Sequence, residues 1–322
     1  MANNILLAAD IGGTRSRLLL AKFNGKTFNT LKQQEYPSAD FSNLGPVIQL
    51  FLADSPNPTR ACFAIAGPVH TSADGEQTAQ VTNLPWRIDS RELKAQLKIK
   101  QLCITNDFTA IAHSIALLEA KDLRVLQAGQ KITPGMIAII GAGTGLGCAY
   151  AYQDSDEINP FNSEGGHVDF APTTEKQIEL LHFLYKQHEH VSLERVLSGQ
   201  GLENIYRFLG RQYDIIPKNM HAAKITEAAT ARQTLAMDSI RLFMQIYGAS
   251  AGNMALNLLP TAGLYIAGGI APRLLNWFNE GEFMQAFLAK GRMREELSRI
   301  PVTIICNTQS GLLGALNLAS KL

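Results

Sequence analysis

The sequence predicts an α/β protein made of two related halves, and three observations carry that expectation. An apolar strand, a glycine turn and a second apolar strand occupy Ile5 to Phe23, and the same order returns at Met136 to Tyr150. Strand-like and helix-like segments alternate along the rest of the chain, as α/β domains require. The length, 322 residues, matches about two domains at roughly 100 to 200 residues each.

Each element follows from local pattern. Ile5 to Asp10, Ile11-Gly-Gly-Thr14 and Arg15 to Phe23 read as strand, turn and strand, with Gly12 and Gly13 giving the turn its backbone freedom. Further strands are predicted at Ala61 to Ala66, Gln80 to Asn83 and Gln101 to Thr105. Asp89, with Glu92 three residues on, N-caps a short helix ending at Leu97. Phe108 to Leu118 has the apolar spacing of a buried helix, which puts Asp107 where a strand ends and a helix begins. Met136 to Ile140 and Leu146 to Tyr150 are strands around the second turn, Gly141 to Gly145. Helices are predicted over Glu175 to Lys186, Ser192 to Leu197, Leu202 to Leu209 and, as one long stretch, Thr226 to Leu258. Gly248 and Gly252 inside the last of these cost stability and mark close packing against another element. Gly263 to Ala267 is a strand, Gly268-Gly269 a turn, and Pro272 opens another helix. Pro301 to Cys306 is a last strand before a C-terminal helix.

Composition narrows the function classes. With 46% hydrophobic and 18% charged residues the chain has material for an ordinary globular core. The net charge of +1, with no block of like charges, argues against a broad nucleic-acid or polyanion surface. Cys62, Cys103, Cys148 and Cys306 are far apart and set in apolar runs, so they read as buried reduced thiols and not as metal ligands or disulfides. The start, Met1 to Asp10, lacks a basic segment and reaches a carboxylate too early for a signal peptide. No uncharged stretch is a continuous apolar run of about 20 residues, and the protein is expected to be cytoplasmic.

Three glycine-rich turns, each ending a strand, point to phosphate contact, because backbone N–H groups approach an anion closely only where no side chain intervenes. The usual dinucleotide and Walker motifs do not fit. In Gly141-Ala-Gly-Thr-Gly-Leu-Gly147 the last glycine of G-x-G-x-x-G is replaced by Leu146, a strand follows instead of a helix, and no Lys-Ser/Thr pair is present. A set of tight hairpins remains the bland alternative for each turn alone. Likewise Asp107, by spacing alone, reads equally well as a helix N-cap.

The motifs Asp10-Ile-Gly-Gly-Thr-Arg-Ser-Arg-Leu18, Thr105-Asn-Asp-Phe-Thr-Ala110, Gly141 to Gly147, Glu164-Gly-Gly-His-Val-Asp-Phe170, Glu194-Arg-Val-Leu-Ser-Gly199 and Ile266-Ala-Gly-Gly-Ile-Ala-Pro-Arg273 stand in the order seen in one family. Through nearly its whole length the chain resembles the bacterial glucokinases, of the actin, hexokinase and Hsp70 superfamily. The resemblance implies two ribonuclease-H-like (actin-like ATPase) domains flanking an ATP/sugar cleft whose closure expels water. With the chain's end returning to the first half, the expected domains are 1–110 plus 308–322, small, and 111–307, large. The related ROK group carries a cysteine-rich zinc motif after its Glu-x-Gly-His segment. No cysteine lies between His167 and Cys306 here, so a zinc role is not transferred to His167.

The resemblance also implies roles. Asp107 would accept the proton of the attacking sugar hydroxyl, and Asn106, Asp107, Glu164, His167 and Glu194 would hold the sugar. Asp10 would hold Mg²⁺, directly or through water, while Gly12, Gly13 and Thr14 approach the phosphates of ATP. Gly141, Gly143, Thr144 and Gly145 would form a second phosphate loop, with Gly268 and Gly269 against the adenosine. Without the resemblance, Glu194 near a helix start reads as a dipole contact. Arg15 and Arg17 receive no role, and His182, His188 and His190 read as solvated residues of a helical stretch. The implied reaction is transfer of phosphate from ATP to the 6-hydroxyl of glucose, in a protein that can form a homodimer. Another hexose or an N-acetylhexosamine as substrate, and a non-catalytic sugar sensor, stay open. The sensor would need a DNA-binding segment, and no helix-turn-helix is expected ahead of the first strand.

Overall fold

Ile5–Ile11 (β1) is apolar at every position but Asp10, which suits a strand covered on both faces. Arg15–Phe23 (β2) and Phe28–Pro37 (β3) continue from it as an antiparallel meander. Leu44–Leu52 (α1) then carries the chain to Arg60–Ile65 (β4), parallel to β1 on its other side. Val69–Thr71 (β5), Gln77–Gln80 (β6) and Arg87–Asp89 (β7) make a small antiparallel sheet. Ser90–Leu97 (α2) leads to Gln101–Asn106 (β8), parallel to β4, and Asp107–Ser114 (α3) follows at once. The spatial order of the main sheet is β3-β2-β1-β4-β8. The computed structural model describes residues 4–215 and 220–322; Met1 to Asn3, where the first domain was expected to begin and the leader reading started, lie outside the described residues.

The second sheet repeats this order. Leu123–Gln127 (β9) precedes a meander of Gly135–Ala142 (β10), Leu146–Asp154 (β11) and Glu157–Ser163 (β12). Helices Glu175–Tyr185 (α4), Gly199–Gln212 (α5), Ala222–Thr230 (α6) and Thr234–Leu258 (α7) come next. Gly263–Ala267 (β13) is parallel to β10, and Val302–Ile305 (β14) is parallel to β13. Between them lie Leu275–Phe278 (α8), Glu282–Leu288 (α9) and Arg294–Arg299 (α10). The order is β12-β11-β10-β13-β14-β9, so the first five strands match the first sheet strand for strand.

The chain divides into two compact units, Met1–Leu118 with Gln309–Leu322, and Glu119–Thr308. The first crossing falls at Leu118 and not at residue 110, because α3 runs on through the 3-10 turn Ile115–Leu117 and both pack on the last helix, Ser310–Lys321 (α11). In the first unit β1 feeds two cores. Ile5, Leu7, Ala9 and Ile11 join α1 and Trp86 on one face, while Leu6 and Ala8 meet Leu312, Ala315, Leu316 and Ala319 of α11 on the other. In the second unit one large core gathers the α5, α6, α7 and α9 residues over β10, β13 and β14. No helix among the described residues is long and apolar enough to cross a membrane.

Several local expectations change. The strand expected at Gln80 to Asn83 is β6, ending at Gln80; Val81 then turns, its N–H bonded to the Trp86 carbonyl, and Asn83 is left-handed at φ 64°. Ser192 to Leu197 forms only the 3-10 turn Leu193–Arg195. Thr226 to Leu258 is two helices, since Arg232 at φ 59° lets Arg232 and Gln233 donate back to Ala229 and Ala228 and stop α6. Gly248 and Gly252 do mark close packing: a methyl at either would strike the backbone of α9 at Phe283 or Phe287. The edge strands β3 and β12 were not anticipated. The first is mostly polar and the second contains Pro160, which an edge tolerates.

Two packing features generate predictions. Gly314 of α11 lies against the Ala110 carbonyl of α3, with no room for a Cβ. Gly314→Ala should destabilise the protein by roughly 1–3 kcal/mol or more, measured by denaturant melting. His113 of α3 is buried, its Nδ1 has no hydrogen-bond partner among the described residues, and burial, with Lys321 nearby, lowers its pKa to about 4. The unfolded chain takes up this proton near pH 6.5 and the folded one near 4, so stability falls as pH drops through that window. His113→Leu should flatten the stability slope between pH 6.5 and 4 by at most about 1.4 kcal/mol per pH unit.

Candidate active site

Parallel pairing sets the first group of site residues. In β1, β4 and β8, Ile11 stands beside Ile65 and Ile65 beside Asn106, so the three carboxyl ends form one edge. Ligands of open α/β sheets bind along such edges. Asp10 is on β1 and Asp107 just past β8, two strand spacings or about 10 Å apart across the sheet.

Asn106, and not Asp107, is the N-cap of α3. Its Oδ1 accepts from the N–H groups of Phe108 (2.9 Å) and Thr109 (3.4 Å), and its Nδ2 donates to the Gly67 carbonyl at 3.2 Å. Asp107 is the first helical residue, and its Oδ1 accepts from Phe108 N–H at 2.9 Å. The cap role that spacing allowed for Asp107 thus belongs to its neighbour.

Asp10 lies over the first turn of α11, where a Cβ on Gly311 would be 3.3 Å from its carboxylate. Desolvation raises its pKa, and Arg17, 3.6 Å away, opposes this. A helix N-terminus also favours the anion. Arg17, on β2, is the register partner of Asp10 on β1 and is itself gripped by Glu35 of β3 at 2.7 Å, while Glu35 also pairs with Arg15 at 2.8 Å. The role of Arg17 and Glu35 beside Asp10 escaped sequence reasoning. Arg15 and Arg17 share a face by strand parity, but their acidic partner comes from the unanticipated β3. Gly12 and Gly13 do not have positive φ, contrary to the turn freedom expected of them. Gly13 is required by space: a Cβ there would sit 2.6 Å from the Thr82 carbonyl. The Gly13 and Thr14 N–H groups have no partner among the described residues.

The second unit repeats the arrangement. The loop between β10 and β11 is Gly143-Thr144-Gly145, whereas Gly141 is buried within β10, paired with Gly147 and Ala267. Gly268, at φ 82°, follows β13 and packs on the Ala142 carbonyl, and Gly269 N is 4.0 Å from where a Gly143 Cβ would stand. The two glycine turns therefore adjoin. Glu194 reaches the same place, its Oε2 accepting from Leu146 N–H at 2.8 Å.

Glu164 precedes, and His167 ends, the 3-10 turn Gly165–His167 after β12, with Gly166 tight against the Leu146 carbonyl. Both side chains are exposed, with His167 Nε2 4.0 Å from Glu164 Oε2. Leu193 N–H bonds the Val168 carbonyl at 2.7 Å, which ties this turn to the one bearing Glu194. Glu164, His167 and Glu194 are thus gathered around Leu146. Cys148, buried beside Glu164, has its thiol pushed up to about 12 by burial and then by that carboxylate, so it stays protonated. His188 and His190 lie beyond α4 and not on it, and His190, exposed as expected, pairs with Asp169 at 2.8 Å.

Among the described residues each unit therefore carries backbone N–H groups without a partner near the carboxyl edge of its parallel strands, Gly13 and Thr14 in the first and Thr144 and Gly145 in the second, with a carboxylate close by. The family model described as Glucokinase matches residues 7–322. A glucokinase of Nostoc punctiforme is 41% identical over 345 aligned positions, covering 99% of each chain, and one of Tolumonas auensis is 38% identical, covering 98% of this chain and 96% of that one. The crystal structure of a glucokinase from an Antarctic psychrotroph superposes with a TM-score of 0.85 at 33% identity, covering 99% of both chains. The duplicated fold, the ordered motifs and these likenesses agree: the chain belongs to the glucokinase family.

Proposed function

We propose that the protein transfers the γ-phosphoryl group of ATP to the 6-hydroxyl of glucose, releasing ADP and glucose 6-phosphate. The observation that carries this reading is Asp107, at the carboxyl edge of the first sheet immediately after the capping Asn106, in a chain of the glucokinase family. Asp107 orients the 6-hydroxyl and takes its proton as the oxygen attacks phosphorus, while the bond from phosphorus to the β–γ bridging oxygen breaks. Asn106 keeps the start of α3 rigid and has one amide hydrogen left for a sugar oxygen. Glu164, His167 and Glu194 offer acceptors and a donor to the remaining hydroxyls. A site of this kind rejects sugars that leave such groups unpaired, which is how glucose is preferred to other hexoses.

The unpaired N–H groups at Gly13 and Thr14, and at Thr144 and Gly145, bind phosphate oxygens; Gly141 supports the second loop from within its strand. Gly268 and Gly269 leave the nucleotide a flat, side-chain-free surface for adenosine. Asp10 fits Mg²⁺: it offers carboxylate oxygens beside an open glycine turn, with Arg17 no nearer than 3.6 Å, and Mg²⁺ commonly takes one or two carboxylates and keeps several waters. Among the described residues no three His, Cys, Asp or Glu side chains cluster as a denser metal site. Bound there, Mg²⁺ would supply neutralisation of phosphate charge.

ADP release should require a sugar and be fastest with glucose in a hexose and N-acetylhexosamine panel; no sugar-dependent release with any of them overturns the reading. Asp107→Asn should lower kcat by about 10²- to 10⁴-fold while glucose binding changes only slightly. Near-parental turnover would remove Asp107 as the base.

A further inference from the structure

Glu194 does more in this structure than face a sugar. Its Oε2 accepts from the N–H of Leu146, the residue that restarts the sheet after the Gly143-Thr144-Gly145 loop. A side chain on Gly145 would collide with that carboxylate, so the loop backbone lies directly against it. Four residues on, Ser198 Oγ donates to the Glu194 carbonyl at 2.8 Å and accepts from Gly201 N–H at 2.9 Å, capping α5. The next residue, Gly199, donates its N–H to the Gly143 carbonyl at 2.9 Å. One short segment, Glu194 to Gly199, therefore holds the loop at both ends, by a carboxylate at one and a backbone N–H at the other.

The loop closes on itself through Gly143 N–H and the Gly145 carbonyl at 2.8 Å, and the Thr144 and Gly145 N–H groups are left without partners among the described residues. These are the donors available to an anion, and their direction is fixed by the two clamps. Only Oε2 of Glu194 is engaged; no described residue donates to Oε1.

The geometry points to Glu194 as a positioning residue for the phosphate loop, through Oε2, as well as a sugar ligand through Oε1. Its second role rests on the sugar site proposed above; its first does not. A sugar hydroxyl bound to Oε1 then restrains the carboxylate that restrains the loop, so glucose tightens nucleotide binding, and by linkage the nucleotide tightens glucose to the same degree.

The test compares Glu194→Ala and Glu194→Gln in the full chain, with ADP and glucose affinities measured separately by calorimetry and folding checked by thermal melting. A glutamine can keep an oxygen on Leu146 N–H; alanine cannot. Without glucose, the alanine variant should bind ADP about ten-fold more weakly, as expected for loss of one hydrogen bond to a charged group, and the glutamine variant within two-fold of the parent. Glucose affinity alone should fall in both. Parental ADP affinity in the alanine variant overturns the positioning role. Equal weakening in both variants overturns it too, since charge and not the hydrogen bond would then be at work. Parental glucose affinity in both variants sinks the sugar role while leaving the loop measurement to stand by itself.

Discussion

The parallel pairing of a meander's first strand with the strand beyond it is the constraint from which the site follows. In β1 with β4, and in β10 with β13, it brings the ends of strands distant in sequence to one edge. At that edge the ladder stops, and among the described residues the N–H groups of Gly13, Thr14, Thr144 and Gly145 have no partner. A buried or half-buried donor without a partner is costly, so such an edge suits a ligand rich in acceptors. The glycines keep side chains out of the way, with the carboxylate of Asp10 at the end of β1 and that of Glu194 against the Gly143-Thr144-Gly145 loop. Each unit builds this once.

Much of this was legible in the sequence, for identifiable reasons. The two central meanders were visible because β1, β2, β10 and β11 are strongly apolar runs broken by glycine. Asp107 was placed at a strand-to-helix junction because apolar helical spacing begins at Phe108. The capping of α3 by Asn106 was not legible, since adjacent Asn and Asp satisfy the same preference and only the backbone angles choose between them. The salt-bridged set of Asp10, Arg17 and Glu35 needed the register of β3, a polar edge strand without an alternating pattern. The hold of Glu194 on Leu146 spans a long stretch of chain, and no local pattern reports a contact of that kind.

The electrostatics are correspondingly local. A protein with a net charge of +1 has no field with which to collect a nucleotide. Arg17, the cation beside Asp10, is already engaged by Glu35. On the reading proposed above, phosphate affinity would rest on backbone donors whose directions are set by packing, with Mg²⁺ at Asp10. That makes it sensitive to small shifts in the turns and tolerant of changes in surface charge.

The last helix has a consequence for how the molecule is made. Leu312, Ala315, Leu316 and Ala319 of α11 cover one face of β1 and β4, and Gly311 seats Asp10. During synthesis the whole second unit emerges before this helix does. The face of β1 and β4 that these residues cover therefore lacks that cover until the last helix is made, so this unit cannot complete its core in the N-terminal-first order usual for domains.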